Sequence, residues 1–115
     1  MKVFLIQHSH SDPGYTHPRD EVWRHQIRNI ELSVQFARRD PEYRWNVECF
    51  WMIDEALRRG SPLPDGFLEL ARQGRIALTA TFLNGSDHLD AEDFRRMLRH
   101  ARAFCDQHGI PLRSA

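Results

Sequence analysis

Three short apolar runs, at 2–7 ("KVFLIQ"), 43–50 ("YRWNVECF") and 75–83 ("RIALTATFL"), alternate along this chain with stretches of helical periodicity. No other feature constrains the fold as much, because strands separated by helices are joined by right-handed crossovers into a parallel sheet. The first run is halted by Pro13-Gly14 and reads as a strand buried on both faces. Behind it Trp23, Ile27, Ile30, Val34 and Ala37 recur at three- and four-residue spacing, which is one face of a helix. Pro18 suits the first turn of that helix and Pro41 lies beyond its end. "WMIDEALRR" from Trp51 is a second helix that stops at Gly60, and "SPLPDG" is a turn. "FLELARQ" (67–73) is a short third helix with Gly74 as its C-terminal cap. A last helix over 91–108 aligns Phe94, Met97, Leu98, Ala101, Phe104 and Cys105, and Gly109 ends it. The expected order is β-α-β-α-α-β-α, and the fold class is α/β with parallel β-strands alternating with helices. Three strands are few for four helices to cover, and "IPLRSA" after Gly109 reads as the approach to another strand. Residues 1–115 are therefore expected to be the first part of a larger α/β domain; the alternative is a complete three-stranded domain.

Composition narrows the function classes. Sixteen basic and sixteen acidic residues balance in 115, without a basic face or a charged tail, so no nucleic-acid footprint is expected. No apolar run approaches the ~20 residues of a membrane span, and the N-terminus lacks the features of a signal peptide, so the expected location is cytoplasmic. Cys49 and Cys105 have no metal-binding or redox spacing and read as reduced, buried, small apolar residues.

The chemistry concentrates in "HSHSDPGY", residues 8–15. On an extended chain residues two apart share a face, so His8, His10 and Asp12 point one way as the first strand runs out. In parallel α/β sheets ligands bind at the carboxyl ends of the strands, which is where this motif falls. An imidazole nitrogen and a carboxylate oxygen suit zinc, and also cobalt or manganese. Two ligands do not complete a site, so others must come from elsewhere. Read alone, an H-x-D pair is more often a solvated loop than a ligand pair.

The octapeptide, placed after an apolar strand and followed by a helix, resembles the opening of the catalytic domain of glycoside hydrolase family 38, the zinc-dependent α-mannosidases. The resemblance continues through "RNIELSVQFARRDPEYRWNVECFW" and "LARQGRIALTATFLN". It implies the first portion of a seven-stranded (β/α) barrel-like glycoside hydrolase domain. It implies zinc (Zn2+, replaceable by Co2+ or Mn2+) on His10 and Asp12, with His8 supporting the site. It implies retaining hydrolysis of a glycan or glycoside substrate, in which one carboxylate attacks the anomeric carbon and a second carboxyl group acts as acid and then base. No catalytic carboxylate is assigned in this chain, because the family's nucleophile is expected downstream of Ala115. Tyr15 stands where the family has a sugar-stacking Trp, and Glu48, at the end of the second strand, matches a family Glu; both are expected substrate-binding residues. The third strand departs from the family, with Ala77 where a Glu is usual and no Gly-Gly-Trp step after it. Two other readings remain: a different metal-dependent hydrolase, such as a sugar deacetylase, or a non-catalytic metal- or sugar-binding domain.

Elsewhere "SDHLDAED" repeats the H-x-D spacing at His88 and Asp90, but Asp90 reads better as a helix N-cap with Glu92 and Asp93 in the first turn. Asn84 and Asp87 fall on the same rim as the motif. Trp23, Trp45 and Trp51 read as core, and His17, His25, His100 and His108 as surface residues.

Overall fold

A computed structural model describes residues 1–3, 5–84 and 89–114. The elements follow the expected order: β1 (Gln7–His8), α1 (Arg19–Arg39), β2 (Trp45–Val47), α2 (Trp51–Arg58), α3 (Phe67–Arg72), β3 (Ile76–Leu78) and α4 (Ala91–His108). The sheet is parallel, in the order β1-β2-β3, with Gln7 opposite Trp45 and Trp45 opposite Ile76. Association continues past the strand ends, since the amides of Phe50 and Trp51 donate to the carbonyls of Thr81 and Phe82. Beyond β3, Thr79 bridges in parallel to Ser114, and Ala80 N–H donates to the Ser114 carbonyl. The segment after Gly109 thus runs alongside the free edge of β3, as a further strand would.

A sheet that adds each parallel strand on the same side, through crossovers of one hand, collects its helices on one face. The burial pattern agrees. Trp45 and Val47 of β2 and Ile76 and Leu78 of β3 join one core with Ile30 and Val34 of α1, Ile53 of α2, Phe67 of α3 and Ala101, Phe104 and Cys105 of α4. The alternate residues Asn46 and Ala77 face the other way, where Ile6, His8, Asn46, Ala77 and Thr79 line an open cavity. Asn46 and Thr79 hydrogen-bond across that face.

Local chemistry explains the element ends. Arg75, at the start of β3, donates to the carbonyls of Ala37 and Asp40 at the C-terminus of α1, where the helix dipole favours a cation. Asp90 caps α4 as expected: its Oδ1 accepts from the amides of Glu92 and Asp93 at 2.9 and 2.8 Å. Cys49 and Cys105 are buried and unpaired in disulfides, and Trp45 and Trp51 lie in the core with Trp23 packed against it.

Two expectations are corrected. The first apolar run is not a strand buried on both faces: among the described residues pairing is confined to Gln7–His8, and Val3, Leu5 and Ile6 are 69%, 83% and 66% exposed. β1 is an edge strand with one neighbour among the described residues. In α4 the apolar stripe is used unevenly, and Leu98 packs against the core without being fully buried. Ala101, Phe104 and Cys105 are buried, whereas Phe94 is exposed because the first turns of the helix extend past the core.

Candidate metal centre

The two-residue period of the octapeptide is realised as two opposed faces. One face presents His10 and Asp12. His10 Nε2 lies 3.2 Å from Asp12 Oδ1, and His10 Nδ1 donates to Glu48 Oε1 at 2.6 Å. Glu48 reaches this position because it follows β2, the neighbour of β1, at the same carboxyl-terminal rim. The other face presents Ser9 and Ser11, which close on Gln26 of α1.

The turn after the motif is built by backbone bonds. The Asp12 carbonyl accepts from the amides of Tyr15 and Thr16, and Gly14 N–H donates to the His17 carbonyl. Gly14 has φ of 84°, a left-handed conformation that side chains resist, so this position calls for glycine. Tyr15 stands exposed at the turn.

Electrostatics favour a charged imidazole while no metal is bound. The Glu48 carboxylate, by its hydrogen bond and its charge, and then Asp12, raise the His10 pKa above its ordinary value. The neighbouring thiol is driven the opposite way from reactivity: burial, and then the charge of Glu48, push Cys49 up to about 11, and its Sγ lies 3.2 Å from Asn84 Oδ1.

The donor set fits a metal in part. Two ligand atoms on one tetrahedral zinc, each about 2.0–2.2 Å from it, lie about 3.3–3.6 Å apart. The His10 Nε2 to Asp12 Oδ1 separation is 3.2 Å. The Nδ1 contact to Glu48 is the carboxylate–histidine arrangement usual behind a zinc-bound imidazole, in which a proton on Nδ1 leaves Nε2 as the ligand atom. Among the described residues no group of three His, Cys, Asp or Glu side chains is placed to hold a metal, so His10 and Asp12 amount to part of a centre.

Sequence reasoning thus finds His10, Asp12 and Glu48, and the structure brings these three together. Tyr15 is on the same turn and its amide donates to the Asp12 carbonyl, but among the described residues its side chain makes no hydrogen bond to the three. His8 sits one face-repeat earlier, over Asn46 on the open face of the sheet. Asp87 and His88 lie outside the described residues. Gln26 was not singled out, although it is a polar residue at a helical position whose four-residue neighbours, Val22 and Ile30, are both buried. That pattern is the signal that exposes it.

The fold and this rim define a parallel α/β segment that gathers a His/Asp/Glu constellation at the carboxyl ends of adjacent strands. Residues 1–56, just under half of the chain, match the model of the glycosyl hydrolases family 38 N-terminal domain, so this segment is similar to that family. The match contains the octapeptide, α1, β2 and Glu48, and it ends within α2, short of the third strand included in the resemblance. Neither the curated proteins nor the solved structures contain a match to the chain. Among the described residues no helix is long and apolar enough to cross a membrane.

Proposed function

We propose that residues 1–115 are the N-terminal part of a retaining, zinc-dependent α-mannosidase-like glycoside hydrolase acting on α-mannosides or related glycans in the cytoplasm. The observation that carries this reading is His10 held between Glu48 and Asp12, inside the segment that matches the family. The strand order, with helices gathered on one face, supports reading this segment as the start of a seven-stranded (β/α) barrel-like domain whose inner wall would be the open face of this sheet.

His10 Nε2 and Asp12 hold the metal, and Co2+ or Mn2+ can replace zinc there. When bound, zinc supplies a Lewis-acid anchor for sugar hydroxyls. Glu48 keeps the proton on His10 Nδ1 and turns Nε2 toward the rim. Tyr15, exposed at the turn, offers its ring to the apolar face of a sugar. The nucleophile lies beyond Ala115.

The test is made on the gene product that contains these residues. It is expected to carry stoichiometric zinc and to hydrolyse an aryl α-mannoside, and Asp12→Ala is expected to lose both. A covalent adduct with a 2-deoxy-2-fluoro glycoside separates a retaining glycosidase from a sugar deacetylase. A native protein without zinc, or unchanged turnover in Asp12→Ala, overturns the proposal.

A further inference from the structure

We infer that Gln26 is a positioning residue of this site, acting through the two serines that interleave with its histidines and aspartate. The inference rests on the metal-site reading above. Past His8 the chain leaves the β-ladder, so the strand pairing that fixes Gln7 and His8 no longer orients residues 9–12. Besides the His10–Glu48 contact and the turn bonds to the Asp12 carbonyl, one carboxamide ties this segment to the helix behind it. Gln26 is fully buried in α1. Its Oε1 accepts from Ser9 Oγ at 2.8 Å and from Asn29 Nδ2 at 3.4 Å, and its Nε2 donates to Ser11 Oγ at 2.7 Å.

The geometry is specific to an amide. Ser9 and Ser11 are two residues apart and point to the helix side, so His10 and Asp12 must point to the rim. One group that binds both serines sets the pitch of the backbone between them, and with it the placement of His10 against Glu48. A methionine of similar length makes neither bond and leaves two hydroxyls without their partner. A glutamate loses the donor and places a carboxylate in a fully buried position. Each polar atom of Gln26 that the core encloses has a partner, as burial demands.

The experiment compares the native protein, Gln26→Met, Ser9→Ala/Ser11→Ala and the triple variant. The first readout is the His10 tautomer, read from imidazole 15N shifts through the non-exchanging ring protons in metal-free protein at alkaline pH. The native protein is expected to show the Nδ1–H form that Glu48 selects, and both the single and the double variant are expected to show a mixture. The triple variant is expected to be no worse than Gln26→Met, because all three residues act as one unit. The second readout is zinc affinity by chelator competition, expected to fall by about tenfold, at the lower end of the range for support residues behind a metal ligand. An unchanged tautomer in a folded variant, or losses that add in the triple variant, overturns the inference. So does a native protein without the Nδ1–H bias. If Gln26→Met does not fold, the serine double variant decides alone, since Ser9 and Ser11 are only half-buried. If the native protein binds no zinc, the metal reading fails while the tautomer still decides the role of Gln26.

Discussion

Replacing Glu48 by glutamine removes a charge from the centre and keeps its shape. The Glu48 side chain is 18% exposed and accepts His10 Nδ1–H at 2.6 Å. It is the largest cause of the raised His10 pKa, ahead of Asp12. In Glu48→Gln, His10 is therefore expected to titrate nearer its ordinary value. The linkage has a definite sign. A raised folded-state pKa gives stability that is fully present below about 6.5, the unfolded value, and is lost as pH rises through the folded value. The metal-free native protein is expected to lose that increment on going alkaline, and the variant is expected to lack it. For zinc two effects oppose each other. A lower pKa weakens proton competition at acidic pH, so variant and native affinities converge there. Above the His10 titration only orientation and ligand basicity remain, and affinity falls. Carboxylates behind a metal-bound histidine contribute about 10–100-fold to affinity. Glutamine still offers an acceptor to Nδ1–H, so about tenfold is expected; Glu48→Ala offers none, and the loss is expected nearer 100-fold. Chelator competition in mildly alkaline buffer measures the affinity, and the His10 ring proton shifts measure the pKa. Native affinity in both variants, or an unmoved His10 pKa in Glu48→Gln, refutes the reasoning.

Other consequences follow from the helices that hold the rim. Arg59 bonds Asp20 of α1 and Glu55 of α2 and stacks over Trp23 at 4.6 Å, and Arg19 also bonds Glu55. Its guanidinium lowers the pKa of both carboxylates. Their contribution is present above the ordinary carboxylate range and is lost as pH falls through the lowered values, so acid unfolding below about pH 4 is expected to soften in Arg59→Met, by circular dichroism against pH. Asp90→Ala removes the two cap bonds of α4 and is expected to cost about 1 kcal/mol in urea denaturation.

Legibility in the sequence divides along physical lines. The order of elements was open to reading because each signal is local: a 3.6-residue stripe for α1, a left-handed glycine after α3 and α4, a capping aspartate before α4. The pairing of His10 with Asp12 followed from the two-residue period of an extended chain, and Glu48 from its place at the end of the neighbouring strand. Burial was legible only where the partner was. Val3, Leu5 and Ile6 look like core by composition, but burial depends on a neighbour beyond the edge of β1. Phe94 keeps the helical stripe of α4, yet that part of the helix has no core to meet. Gln26 was hidden for the opposite reason. Its meaning depends on two serines 15 and 17 residues away, and tertiary packing alone brings them together.

The most direct test is the position of the zinc itself. A crystal structure of the zinc-loaded gene product, with anomalous scattering measured across the zinc edge, is expected to place the metal on His10 Nε2 and an Asp12 oxygen, with His10 Nδ1 still on Glu48. Zinc bound away from this rim, zinc on Nδ1, or none at all contradicts the metal centre built here.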